Sequence, residues 1–162
     1  MAHHNNGMTR DEKALMQALS RAISVVPRVL DADLQRDQQL PLTDYFALTY
    51  LSEAEGQRLR INEVATRLSM TISGATRTVN RLEALELVAR ERSASDGRGA
   101  DVVLTEVGLK RLKEAWPSHR DSARRRVLDR LDANELAVLT KALNSIGAEP
   151  DDFDSADCPP QS

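Results

Sequence analysis

The chain is short of several things at once. It has a single cysteine, Cys158, in 162 residues. One thiol cannot build a disulfide framework, and one such chain cannot supply a Cys₄ or Cys₂His₂ zinc site. A lone cysteine suits a reducing compartment, so a cytoplasmic location is expected. Aromatic residues make up only 3%. That scarcity, beside abundant Leu, Ala, Arg and Glu, points to helices rather than a β-sandwich or barrel. No apolar run approaches the roughly 18 residues of a membrane span, so no membrane partner is expected. The opening Met1-Ala2-His3-His4-Asn5-Asn6-Gly7 lacks the basic-then-apolar order of a signal peptide. There is no Gly-rich phosphate loop, no Ser-His-Asp arrangement and no pair of buried carboxylates. The expectation is therefore no enzyme, no cofactor and no metal. His119 has no second ligand at metal spacing, and His3 and His4 fall in a polar start expected to be disordered over residues 1–8.

What is present is 41% hydrophobic residues, enough for one core, and 29% charged residues. The length allows one domain and hardly two. The net charge of −3 hides a partition. Residues 149–162 carry five acids and no Lys or Arg, which leaves residues 1–148 at +2. Between Arg58 and Arg98, eight Arg stand against five acids. The tail over 149–162 reads as a disordered, solubilising end. The sharper alternative is an acidic segment that competes with a polyanion for the basic surface. Cys158 sits in this polar tail, which argues against a redox sensor.

Periodicity organises the rest. Leu15, Leu19, Ile23, Val26, Leu30 and Leu34 recur every three or four residues, giving an amphipathic helix over about 9–36 that Pro27 should kink or interrupt. Thr43 reads as the cap of a second helix, Asp44 to Glu53, ended by Gly56. A short extended piece, Leu59 to Ile61, precedes a short helix over Asn62 to Leu68. After a tight turn at Ser69-Met70, Thr71 caps a helix from Ile72 to Leu85 with Ala75, Val79 and Leu82 inward. Two short helices so joined have the layout of a helix-turn-helix. Val88 to Arg92, a turn-rich Ser93 to Gly99, and Asp101 to Leu104 then make a β-hairpin where a winged helix-turn-helix carries its wing. Thr105 caps a long helical face through Val107, Leu109, Leu112, Trp116, Ala123, Val127 and Leu131, which Pro117 should kink. Asp132 and Glu135 have capping-box spacing before a last helix with Leu136, Leu139, Leu143 and Ile146. The fold class expected is mainly α with a small β-wing: a winged helix-turn-helix over about 42–105 within a single unit at 9–148.

Three passages carry a family resemblance. Leu42-Thr43 with Phe46-Ala47-Leu48 is the first. Glu63-Val64-Ala65, Leu68 and Met70-Thr71, continuing through Arg77, Val79 and Arg81-Leu82-Glu83, is the second. Asp96-Gly97-Arg98 followed by Val102, Leu104-Thr105 and Gly108 is the third. In this order and spacing they resemble the multiple-antibiotic-resistance regulator (MarR) family of transcription factors. The resemblance implies a homodimer whose flanking helices, about 9–36 and 106–147, form the dimerisation unit. It implies a transcriptional regulator, a repressor released by a small-molecule ligand, often an aromatic acid. A winged-helix protein-interaction module without its own operator is the alternative.

The residues support a DNA reading on their own chemistry. Thr71, Ile72, Ser73 and Gly74 form a helix N-terminus whose free N–H groups and positive dipole end favour phosphate. Thr76, Arg77 and Asn80 lie with Ser73 on the face opposite the apolar stripe. Arg77 is placed to read guanine through two parallel hydrogen bonds in the major groove of a pseudo-palindromic operator. The bland alternative is a solvated face. Arg81, one turn on, is expected on phosphate or bracing the wing. Arg98, on a Gly-flanked loop, suits a narrow minor groove. Asp96 is expected to pair with Arg98 or Arg92 and hold the wing in shape, a role the family resemblance also implies for the Asp-x-Arg pair. Two departures from the family pattern are Gly97, where another basic residue is common, and Gly74, where a hydroxyl residue is commoner. Tyr45, Phe46 and Trp116 are the aromatics available for a ligand pocket, or they are core. Arg120, Arg124-Arg125-Arg126 and Arg130 read as a solvated helix face or an extension of the phosphate-binding surface.

Overall fold

The computed structural model describes residues 7–92 and 100–147. The expectations for residues 1–6, for Asp96 and Arg98, and for the acidic tail with Cys158 lie outside the described residues. The described elements run α1 (Arg10–Gln38), α2 (Leu42–Glu53), β1 (Arg58–Arg60), α3 (Ile61–Arg67), α4 (Ile72–Ala84), β2 (Val88–Arg92), β3 (Ala100–Leu104), α5 (Glu106–Arg126) and α6 (Ala133–Gly147), with short 3₁₀ turns at Glu55–Gln57 and Leu128–Arg130. The architecture is mainly helical, with a small antiparallel sheet in the order β1-β3-β2. Leu59 pairs with Val102, and Ala89 with Val103, so the piece read as merely extended is an edge strand joined to the hairpin.

Several local signals act as their chemistry dictates. Thr9 caps α1 in a reciprocal box with Glu12: Glu12 N–H donates to Thr9 Oγ1 at 3.2 Å and Thr9 N–H to Glu12 Oε2 at 2.6 Å. Thr71 caps α4 and Thr105 caps α5, accepting from the amides of Gly74 at 3.1 Å and Gly108 at 3.0 Å. The Asp132–Glu135 box precedes α6, with bonds of 2.9 and 2.8 Å.

Other expectations are corrected. Pro27 does not interrupt α1, which runs from Arg10 to Gln38, and α5 likewise runs through Pro117. Each lacks one ladder bond there, and the long runs on either side carry the helix across it. Thr43 does not cap α2. The helix begins at Leu42 after Pro41, and the Leu42 amide is satisfied instead by the Asp31 carboxylate of α1, at 2.8 Å. Gly56 does not end α2, which stops at Glu53; it occupies a left-handed turn (φ 63°) inside the following 3₁₀ segment.

Two apolar clusters hold the fold. The larger packs Ala47, Leu48 and Leu51 of α2 against Ala75, Val79 and Leu82 of α4, with Val88, Val102 and Leu104 of the sheet. The smaller gathers Leu34, Leu40, Leu42, Tyr45 and Ala115, with Leu30 packed against it, and so joins the end of α1 to α5. Leu30 and Leu34 are thus packed within the chain. The remainder is open. Leu15 is 62% exposed and Ile23 64%, and every residue of α6 is exposed, Leu136, Leu139, Leu143 and Ile146 included. Among the described residues no helix is long and apolar enough to cross a membrane.

Candidate nucleic-acid interface

Helix α4 is built as a presented helix. Its inward face, Ala75, Thr78, Val79 and Leu82, is buried. Its outward face exposes Ser73, Arg77, Asn80 and Arg81. Ile72, at the first turn, is 55% exposed. A methyl group at Gly74 would meet nothing nearer than 3.4 Å, so this glycine is not demanded by packing within the chain. Its absent side chain leaves the backbone open to close approach from outside. Thr76 is half-buried and its hydroxyl donates back to the Ile72 carbonyl at 2.8 Å, leaving only acceptor capacity facing out.

The arginines divide by partner, a division the sequence does not reveal. Arg77 makes no hydrogen bond or ion pair among the described residues. Arg67, in the last turn of α3, and Arg92, at the end of β2, are likewise unpaired among the described residues. Arg90 is tied to Glu83 and donates to Asn80 Oδ1 at 2.6 Å, so the wing strand grips the outer face of α4. Arg58 reaches Glu91 at 3.4 Å and Asp101 at 3.8 Å across the sheet.

Arg81 neither braces the wing nor stands free. Its guanidinium forms a two-pronged pair with Asp44 of α2, Nε to Oδ2 at 2.8 Å and Nη2 to Oδ1. Asp44 is fully buried while the Arg81 side chain is 46% exposed. The carboxylate beside it holds the Arg81 pKa above its ordinary value. Sequence reasoning missed Asp44. The available signal was a single acid among Leu42, Tyr45, Ala47 and Leu48, in the most apolar helix of the chain.

A second buried acid was also missed. Asp33, 2% exposed on α1, accepts from Ser122 Oγ at 2.6 Å, from Arg126 Nε and Nη2 at 3.1 Å each, and from Arg36 at 2.9 Å. These donors, Arg126 first, hold its carboxyl well below the usual carboxylate range. Arg125 adds a contact at 3.4 Å. Arg124 pairs with Asp129 and Arg120 with Asp121. The α5 basic run is therefore in large part a set of intramolecular ion pairs rather than a bare solvated face.

The three aromatics are not equivalent. A cleft of about 400 Å³ opens between α2 and α5, lined by Tyr45, Thr49 and Glu53 on one side and Leu112, Lys113 and Trp116 on the other. Trp116 is half-exposed at 52% and Tyr45 is buried. Phe46 does not line the cleft; it meets Tyr45 edge-on at 5.8 Å and stacks with Tyr50 at 6.3 Å. His119 lies 4.4 Å from the Tyr45 ring centre, with Nδ1 buried and unpartnered among the described residues. Burial lowers its pKa below the ordinary value and keeps it neutral near pH 7. The described residues hold no cluster of His, Cys, Asp and Glu fit for a metal ion.

This geometry matches known proteins along most of its length. A family model described as the MarR family matches residues 38–99, from the end of α1 to just before β3. The structure of Sco3205, a MarR family transcriptional regulator from Streptomyces coelicolor in complex with DNA, is 32% identical over 86% of this chain and 91% of that one, with a TM-score of 0.80. AbsC, a MarR family transcriptional regulator from the same organism, is 35% identical over 86% of this chain and 94% of its own, with a TM-score of 0.79. The transcriptional regulator BldR from Sulfolobus solfataricus is 26% identical over 86% of this chain and 97% of that one, with a TM-score of 0.74. No curated protein matches the sequence. With identities above 30% to Sco3205 and AbsC over most of both chains and the same overall fold, the chain belongs to the MarR family.

Proposed function

We propose that the protein is a homodimeric, sequence-specific repressor that binds a pseudo-palindromic operator and is released by a small ligand. The observation that carries this reading is Arg77, exposed and unpaired among the described residues on a helix whose opposite face is fully packed. The contact set proposed for DNA is Thr71, Ile72, Ser73, Gly74, Thr76, Arg77 and Asn80 on α4, with Arg98 of the wing loop, Asp96 holding that loop in shape rather than touching DNA. The DNA complex of Sco3205 supports the DNA partner. Arg81 stands behind this set, held by Asp44. The exposed apolar residues of α6 and of the first half of α1 support the dimer, because a second copy would cover both. The cleft supports the ligand. Tyr45 and Trp116 would flank an aromatic ring and Lys113 would attract a carboxylate, while Glu53 on the opposite wall would select against a second acid.

The test is selection of bound duplexes from a random pool, followed by footprinting. A regulator enriches a two-fold-related sequence with half-sites about one helical turn apart. A winged-helix interaction module enriches none. Sedimentation at micromolar concentration should give about twice the 18.0 kDa chain mass; a persistent monomer would contradict the dimer.

A further inference from the structure

Arg90 of β2 meets two residues of α4 with the two ends of one guanidinium. Nη1 holds the Glu83 carboxylate, and Nη2 donates to Asn80 Oδ1 at 2.6 Å. Asn80 and Glu83 are neighbours on the surface of α4, one turn apart. The guanidinium is planar and rigid, so a hold on Glu83 fixes where its other nitrogen points. An asparagine can present either end of its amide, the acceptor oxygen or the donor NH₂, by a half-turn about its last bond. Arginine has no acceptor, so the end that meets it must be the oxygen. The NH₂ group is thereby turned away from the wing, and it makes no hydrogen bond among the described residues. Asn80 is exposed, on the same outward face of α4 as Ser73 and Arg77.

We infer that Arg90 is a positioning residue for base readout: it locks the Asn80 amide with its NH₂ group outward, so that Asn80 selects guanine over adenine. This rests on the DNA-binding reading above. A free asparagine reads adenine by two bonds in the major groove, accepting from the N6 amine and donating to N7. In this chain the oxygen that would accept from N6 is already held by a cation. The incoming amine would meet the guanidinium hydrogens at that oxygen, positive against positive. Guanine instead offers acceptors at both O6 and N7. The Asn80 NH₂ can donate to either without engaging the oxygen. Glu83 keeps the guanidinium on Asn80 rather than on a phosphate, because leaving would break both contacts at once.

The experiment uses the full chain, the duplex obtained by selection, and single-base variants of that duplex. Asn80→Asp keeps the shape and the contact with Arg90, so the fold is kept, and it removes only the NH₂. At one base pair of each half-site the wild-type protein is expected to prefer guanine over adenine, and Asn80→Asp is expected to lose that preference. Loss of one such bond should lower affinity for the guanine duplex about two- to tenfold per half-site. Arg90→Met is the second variant. It removes the guanidinium and leaves Glu83, which is only half-buried, to water. The amide is then free to turn, so preference at that same pair is expected to move towards adenine, with the ranking at every other pair unchanged. A merely structural Arg90 would lower the melting temperature and weaken all duplexes alike, and that result overturns the inference. So does a wild-type protein that prefers adenine at the pair affected by Asn80→Asp, or an Asn80→Asp protein with unchanged base preferences. If no duplex is selected at all, it is the DNA-binding reading that fails.

Discussion

Replacing Asp33 by Asn removes one negative charge and almost no volume, so its consequences isolate the ion cluster between α1 and α5. In the native protein both carboxylate oxygens are occupied, one by Ser122 and Arg126 and the other by Arg126 and Arg36. In the amide, one of those positions becomes an NH₂ group that faces donors. Breaking a fully buried pair costs about 3–5 kcal/mol. Here the carboxylate is buried, but Arg36 is 61% exposed and Arg126 42%, so water screens their side of the interaction. A loss of about 2–3 kcal/mol is expected at pH 7 once that screening is allowed for. That is a fall in melting temperature on the order of 4–12 °C for a chain of this size. The pH dependence supplies the sharper check. The folded-state pKa of Asp33 is depressed, so its contribution is fully present above the unfolded value of about 3.9 and is lost as pH falls through the folded value. Urea unfolding of wild type and variant, at one fixed protein concentration, should show a constant gap from about pH 7 to 5 that narrows below about pH 4. A gap that stays constant down to about pH 3, or no gap at all, would refute the electrostatic account.

Gly108→Ala should destabilise by at least about 1–3 kcal/mol. A methyl group there would lie 2.0 Å from the Leu87 carbonyl oxygen and 2.8 Å from Leu104 Cδ1, forcing the start of α5 away from the sheet; a lowered urea midpoint checks it. Arg77→Ala should cost about 1–3 kcal/mol per half-site and relax base preference at one position. Arg98→Ala should weaken binding with little change in preference, because the minor groove distinguishes mainly A·T from G·C. A panel of single-base operator variants separates the two, and uniform weakening by Arg77→Ala would reject the major-groove assignment. Affinity should also fall about 10³–10⁵-fold between about 50 and 200 mM salt if roughly 6–10 phosphates are contacted; a flat response in a binding titration would argue against DNA.

The helices and the hairpin were legible because each carries a local signal. Thr71 and Thr105 cap where hydroxyls precede apolar periodicity, and Asp132 with Glu135 closes a box across one turn. The turn-rich stretch after Arg92 separates two paired strands. What was not legible depends on residues far apart in the chain. The first amide of α2 is satisfied by a carboxylate from α1, while the adjacent Thr43 hydroxyl, which suggested a cap, is not one. The pairing of β1 with β3 joins residues more than forty positions apart. Pro27 misled because an interruption was read from one missing donor, whereas α1 continues through it at the cost of a single bond.

The same distinction governs the interface. Counting arginines from Arg58 onward treats each as an equal source of positive field. The structure sorts them by what they already hold. Arg58, Arg81 and Arg90 are engaged by carboxylates. Their free energy of interaction with phosphate is reduced by those partners, and for Arg81 it is offset by the buried charge it would abandon. Among the described residues Arg67, Arg77 and Arg92 carry no such obligation, and they sit respectively at the end of α3, on the open face of α4 and at the root of the wing. The paired arginines keep the elements in register, and the unpaired ones are left to meet a polyanion. A chain with a net charge of −3 can present a cationic edge in this way, because screening confines each charge to about 10 Å and only the local balance reaches the ligand. Among the unpaired arginines, Arg77 is the residue proposed to reach a base edge.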